Sequence, residues 1–268
     1  MTEHSSCGVV FRTADHISGV GGVVHGFSTR FGGVSEGPLA SLNLGVARGD
    51  EPDRVRENYR RWFAAMGMSG RFVMSRQVHG THIRVARPGD EKTDPYEPRD
   101  YEADGLMTDL PGVAVVVFSA DCLPILLYDP VKRAVCALHA GWRGSVAGIA
   151  AKAVAQMRAE YGTDPADLLC AIGPGIDQCH FETDGEVPAA VRACLPPEQA
   201  ERCIREVRNG KYYVNLKRLN SLLLQGAGVP EVNIMIDPEC TACNPEKYWS
   251  HRLIGPERGS LAAAIQLT

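Results

Sequence analysis

Cys122 and His139 stand where apolar runs meet loops, in SADCLPILLYDP and ALHAGWRG, and His79 occupies the same kind of position in SRQVHG. A catalytic zinc takes three protein ligands and keeps a fourth position for water or substrate, and two imidazoles with one thiolate make such a set. The separations, 43 residues from His79 to Cys122 and 17 from Cys122 to His139, match no zinc-finger spacing, so such a site would have to assemble from distant loops. The same cysteine and histidines could serve as nucleophile and base. A buried cysteine is also an ordinary core residue, and on the residues alone all three readings stay open.

Other residue groups carry weaker signals. Cys240 and Cys243 form a CxxC with no second pair, which by spacing completes no structural zinc site and reads as two ordinary thiols. Cys179-His180 reads as part of a structural turn, and His251-Arg252, which near the C-terminus could reach a pocket, as a solvated loop. Gly173-Pro174-Gly175 would let a backbone approach a phosphate closely, but it has neither the GxGxxG nor the GxxxxGK[ST] pattern. Thr29 to Gly45 is a long run rich in Gly, Ser and Asn without periodicity, and Arg30 and Asn43 are its candidate substrate-binding residues.

These residues need rigid elements behind them. Val113 to Ala120, Pro124 to Tyr128 and Ala134 to His139 read as strands apolar on both faces and therefore central in a sheet, with Asp129, Pro130 and Lys132 turning the chain between the last two. Shorter strands are predicted at Val9–Arg12, Val23–Ser28, Arg71–His79, Ile83–Ala86, Leu168–Ile172, Tyr212–Asn215, Val232–Ile236 and Leu261–Gln266. Asp50–Met68 carries an apolar helical stripe, Val55, Tyr59, Trp62, Phe63 and Met66, with Asp53 as its cap. Ser145 is predicted to cap a second helix that Gly162 ends, and Leu168–Ile172 then completes a strand, helix, strand unit. Further helices are predicted at Val187–Cys194 and Leu216–Ala227, and Pro88–Tyr101 reads as a charged linker. The fold class is α/β, a mixed sheet with helices packed around it, in a single domain over residues 1–268.

Composition narrows the function. With 44% hydrophobic and 22% charged residues in 268, the chain has the make-up of an ordinary globular protein with a sizeable core. A net charge of −4 without a basic stripe argues against a nucleic-acid partner. The longest apolar run, Val113 to Tyr128, contains Asp121 and Pro124 and is too short to span a bilayer, so no membrane partner is expected. MTEHSSCGVV has no secretory pattern, and nine irregularly spaced cysteines suit a reducing, cytoplasmic setting with free thiols.

The motifs GGVSEGPLASLNLG, SRQVHG, EADGLMT, SADCLPILLYDP, HAGWRG and IGPGIDQCHFE, in this order along the chain, resemble the YfiH-like or laccase-domain family, also known for polyphenol oxidases and described as purine nucleoside phosphorylases. The resemblance runs from Val24 to the C-terminus. It implies a YfiH-like (CNF-like cysteine hydrolase) domain whose metal ligands are His79, Cys122 and His139. It also implies zinc, with Cu2+ as the other metal, and phosphorolysis of adenosine, inosine, guanosine and methylthioadenosine together with adenosine deamination. Purine nucleosides and phosphate are then the partners, and the oligomeric state stays open. Cys122, Gln77 and Arg143 are the catalytic candidates, with Arg143 also binding phosphate. A cysteine hydrolase or peptidoglycan-editing factor using Cys122 is the alternative. A copper polyphenol oxidase is disfavoured, since eight histidines without a His-x-His pair supply few copper ligands. Where family members carry Tyr in the run after Cys-Thr, this chain has His251.

Overall fold

A computed structural model describes the backbone of residues 1–268 and every side chain except that of Arg208. In chain order the strands are β1 (Thr2–Ser6), β2 (Val9–Thr13), β3 (Val23–Ser28), β4 (Phe72–Val73), β5 (Ile83–Val85), β6 (Gly105–Thr108), β7 (Ala114–Ser119), β8 (Leu123–Asp129), β9 (Ala134–Ala140), β10 (Leu169–Ile172), β11 (Glu182–Thr183), β12 (Ile204–Glu206), β13 (Tyr212–Val214), β14 (Ile234–Ile236) and β15 (Leu261–Leu267). The helices are α1 (Asp15–Val20), α2 (Pro52–Met66), α3 (Trp142–Val146), α4 (Ile149–Tyr161), α5 (Glu186–Cys194), α6 (Pro197–Glu201), α7 (Leu216–Gly226) and α8 (His251–Ile254).

The α/β architecture has two mixed six-stranded sheets, ordered β1-β2-β3-β15-β7-β4 and β14-β10-β8-β9-β6-β5, and a small third sheet, β11-β13-β12. The three apolar strands expected to be central in a sheet are divided between two: β7 lies in the first sheet, and the β8–β9 hairpin in the second. Their two-sided burial comes from layering. Val115, Val117, Ala263 and Ile265 of the first sheet share a core with Leu126, Tyr128, Val135 and Ala137 of the second. The alternate residues Ala114, Val116, Ala262 and Ala264 pack outward against Val55, Tyr59, Trp62 and Phe63 of α2. On the far side, Ile125, Leu127, Cys136 and Leu138 pack against Ile149, Ala153 and Met157 of α4 and Leu219 of α7. Each central strand is covered on both faces, so period-two polarity never appears along it.

Local chemistry sets the boundaries. The Asp129 carboxylate accepts the N–H groups of Val131 and Lys132, both at 2.9 Å, and so forms the turn between β8 and β9. Pro52 opens α2 at its first position and Glu51 takes the cap place, so Asp53 lies within the first turn instead of capping it. Ser145 is likewise no cap. The chain breaks at Gly148, whose φ of 77° is left-handed, and the expected single helix becomes α3 and α4, with Gly162 ending the latter as predicted. β9 and β10 are parallel to each other, each antiparallel to β8 between them. Among the described residues no helix is long and apolar enough to cross a membrane, and all nine cysteines are free.

Candidate metal centre

β4 ends at Val73, far short of the predicted His79, and the chain then runs irregularly to bring His79 beside the second sheet. Cys122 sits in the tight connection between β7 and β8, and His139 lies on β9. The ligand atoms of His79, Cys122 and His139 all fall within 4.8 Å of one another, and the two imidazole rings meet edge to face with centroids 4.9 Å apart. His79 and Asp121 both have left-handed backbones, φ 62° and 86°, which side-chain-bearing residues adopt only where their surroundings hold them.

Asp104 holds the first of these. Its fully buried carboxylate accepts the backbone N–H groups of Val78, His79 and Gly80 at 3.2, 2.9 and 2.7 Å, and Nδ1 of His139 at 2.8 Å. The His139 ring thereby keeps its proton on Nδ1, which leaves Nε2 as the nitrogen a metal would take. Sequence reasoning named EADGLMT as a motif but assigned no role to Asp104; the signal was an acidic residue directly before a buried strand. Asp121 is held from the other side. Its Oδ1 accepts the Thr241 hydroxyl at 2.6 Å, and its Oδ2 accepts the Ser250 hydroxyl at 3.1 Å and the Arg252 N–H at 2.7 Å.

Electrostatics favours ligation. Burial opposes a Cys122 thiolate, but His139 and His79 outweigh it and bring the thiol down to about 6. Burial likewise opposes a charged His139, yet Cys122 and the Asp104 carboxylate carry it up to about 9. Burial also works against the Asp104 carboxylate, but His139 and the backbone N–H groups hold it below the usual range. Thiolate and neutral imidazole are the ligating forms, and a cation between them would take the proton's place. Two imidazole nitrogens, one of them on a carboxylate-anchored histidine, and one thiolate sulfur fit zinc. Gly141 is packed tightly here: a Cβ on it would lie 3.0 Å from His79 Cδ2 and 3.1 Å from Cys122 Sγ.

The three residues open onto a cavity of about 900 Å3. Gln77 lines it, but its amide is committed to the chain: Nε2 donates to the Phe118 carbonyl at 2.8 Å and Oε1 accepts the Phe118 N–H at 2.7 Å. Arg143 is exposed, stacked over Trp142 at 4.3 Å and outside the cavity lining. Arg30 donates to the carbonyls of Ala40 and Pro245 and lies over Trp249. Asn43 is fully buried and holds Gly45 and the Ser260 N–H. Neither Arg30 nor Asn43 lines the cavity. The structure thus brings together the triad and Gln77, and gives Arg30 and Asn43 the work of shaping the 29–45 loop.

Residues outside the predicted site complete the cavity. His251, expected in a solvated loop, lines it, and the 88–101 linker contributes Tyr96 and Arg99 while Lys92 pairs with Phe72. Arg258 is the most informative of them. It is 8% exposed, its Nη1 donates to the Gly259 carbonyl at 2.9 Å, and its Nε has no partner. Burial and the nearby Arg48 push its guanidinium down to about 10, opposed by Asp121 and Cys122.

Residues 24–268 match the family model described as "Multi-copper polyphenol oxidoreductase laccase". The chain is 37% identical over 252 residues to the purine nucleoside phosphorylase YlmD of Geobacillus stearothermophilus, covering 91% of this chain and 90% of that one. It is 35% identical over 232 residues to the purine nucleoside phosphorylase YfiH of Escherichia coli K12, covering 86% and 88%. The crystal structure of YlmD from Geobacillus stearothermophilus superposes with a TM-score of 0.89 at 34% identity, over 98% of this chain and 97% of that one.

Proposed function

From the premise that the chain belongs to the multi-copper polyphenol oxidoreductase laccase family, we propose that it is a zinc-dependent purine nucleoside phosphorylase working as a single domain in the cytoplasm. The observation that carries this reading is Arg258, a buried guanidinium with an unpartnered Nε in a cavity it shares with Arg48 and Cys122. An unpaired buried cation is costly, and an anion is what offsets the cost. Phosphate meets a guanidinium fork with charge-assisted hydrogen bonds, so Arg258 and Arg48 would hold the nucleophile.

In phosphorolysis a phosphate oxygen bonds to the ribose anomeric carbon while the bond from that carbon to the purine nitrogen breaks, its electron pair leaving with the base, which takes up a proton. The arginines orient phosphate for this attack, and the aromatic side chains Phe118 and Tyr96 that line the same cavity suit a purine. Gln77 acts through Phe118 as a positioning residue. Arg143, on the outer surface, is kept as a candidate for incoming phosphate only.

His79, Cys122 and His139 would hold the zinc, with copper as the other metal the donors admit. When bound, the metal supplies Lewis acidity, the property that adenosine deamination draws on, and the triad favours that as a second activity. Broad acceptance of adenosine, inosine, guanosine and methylthioadenosine suits a cavity of this size.

The test follows adenosine by chromatography with and without phosphate. Adenine appearing with phosphate supports phosphorolysis, inosine appearing without it supports deamination, and no turnover by zinc-replete protein sinks both. Cys122→Ser is expected to lose the ion held with His79 and His139 and activity together; loss of turnover with a zinc content equal to the parent's would favour the cysteine-hydrolase alternative.

A further inference from the structure

We propose that Cys179, His180, Cys240 and Cys243 form a second, structural zinc site, separate from the centre that faces the cavity. The CxxC lacks a second pair in sequence, but the fold supplies one from the loop after β10. The four ligand atoms lie within 4.8 Å of one another. Cys179 Sγ is 3.4 Å from Cys243 Sγ, and His180 Nδ1 lies 3.3 Å from Cys179 Sγ, 3.3 Å from Cys243 Sγ and 4.0 Å from Cys240 Sγ. With zinc–sulfur bonds of about 2.3 Å and a zinc–nitrogen bond of about 2.0 Å, a tetrahedron has edges of roughly 3.5–3.8 Å. The observed spacings bracket those edges. Three thiolates and an imidazole form a closed set that leaves no position open, the arrangement of structural and not catalytic zinc.

The surroundings are those of a held site. The Asp177 N–H donates to Cys240 Sγ at 3.3 Å, as amides commonly do to ligating thiolates. Both ligand pairs sit in turns, with the His180 N–H on the Asp177 carbonyl and the Cys243 N–H on the Cys240 carbonyl. Lys217, 3% exposed, ties the two loops together by donating to the Asp177 carboxylate and to the carbonyls of Asp237 and Glu239. The same two loops grip the residue before Cys122: Ile176 N–H reaches the Asp121 carbonyl at 2.8 Å, and Thr241 bonds its carboxylate. A zinc at this place would brace the backbone from which Cys122 projects.

Elemental analysis of the full chain, purified under reductant and loaded with zinc, decides the point together with Co2+ spectra. The parent is expected to hold one ion more per chain than Cys243→Ser, and His180→Cys, which keeps four ligands, should retain it. In Cys122→Ser the first centre has no thiolate, so an intense cobalt–thiolate charge-transfer band there supports the second site without any change to it. A Cys122→Ser protein without that band overturns the proposal. So does equal zinc content in the parent and Cys243→Ser, or a Cys179–Cys243 disulfide persisting under reductant.

Discussion

Asp104 grips His139 twice: its Oδ1 accepts the ring Nδ1 at 2.8 Å, and its backbone carbonyl accepts the His139 N–H at 2.7 Å. The same carboxylate gathers the N–H groups of Val78, His79 and Gly80, so one buried residue sets the positions of two of the three proposed ligands. Asp104→Asn keeps the size but loses the charge and an acceptor oxygen. Zinc affinity should fall by roughly 10–100-fold, the usual cost of removing a carboxylate behind a ligating histidine. Chelator competition measures this, and unchanged affinity would deny Asp104 that role.

Gly141 makes a separate prediction. Its φ of −67° is open to any residue, so Gly141→Ala adds crowding without backbone strain. The new methyl would displace His79 or Cys122 by a few tenths of an ångström. Zinc affinity and turnover should drop by about tenfold, given that 1 Å misplacements cost about a hundredfold, while thermal unfolding changes little.

Arg258→Met tests the phosphate reading without touching a metal ligand. The KM for phosphate should rise by roughly 10–100-fold, matching the 1.5–3 kcal/mol of a hydrogen bond to a charged group. Zinc content should not change. Steady-state kinetics with varied phosphate separate this from a loss of nucleoside binding, which would raise the other KM instead.

His25 predicts an acid limit on stability. It is buried, its Nε2 accepts the Ala14 N–H at 2.8 Å, and burial, with His16 and His4 adding to it, pushes its pKa down to about 4. The unfolded chain takes up this proton near pH 6.5 while the folded protein resists it, so stability is complete above that pH and declines as pH falls toward 4. The loss attributable to His25 is about 3 kcal/mol. Urea unfolding at pH 7 and pH 4.5 should show that part of the decline missing in His25→Gln, which offers an acceptor but does not titrate.

Much of this was legible in the chain. The apolar stripe Val55, Tyr59, Trp62, Phe63 and Met66 marked α2, the two-sided runs marked β7, β8 and β9, and the QVHG, ADC and HAGWRG motifs pointed to the triad. Such signals are local: they record what each stretch must bury or where it must turn. They do not record which layer a strand joins, because a strand covered on both faces reads alike in either sheet, and so β7 parted from β8 and β9. Arg30 and Asn43 looked free for a ligand because composition does not reveal which carbonyls and N–H groups a fold brings within their reach.

Convergence was the province of the tertiary structure. Residue types at 79, 122 and 139 could name the ligands, but only the packed sheets place Asp104 between two of them and turn Arg258 into the same cavity. Cys179-His180 and Cys240-Cys243 are some 60 residues apart and each is unremarkable alone. They meet because Gly175 pairs with Cys240 and Lys217 clasps both loops, contacts paid for by burial of the whole core. Local patterning therefore determined the elements and the ligand types, and the long-range packing that no short stretch encodes decided which of them share a site.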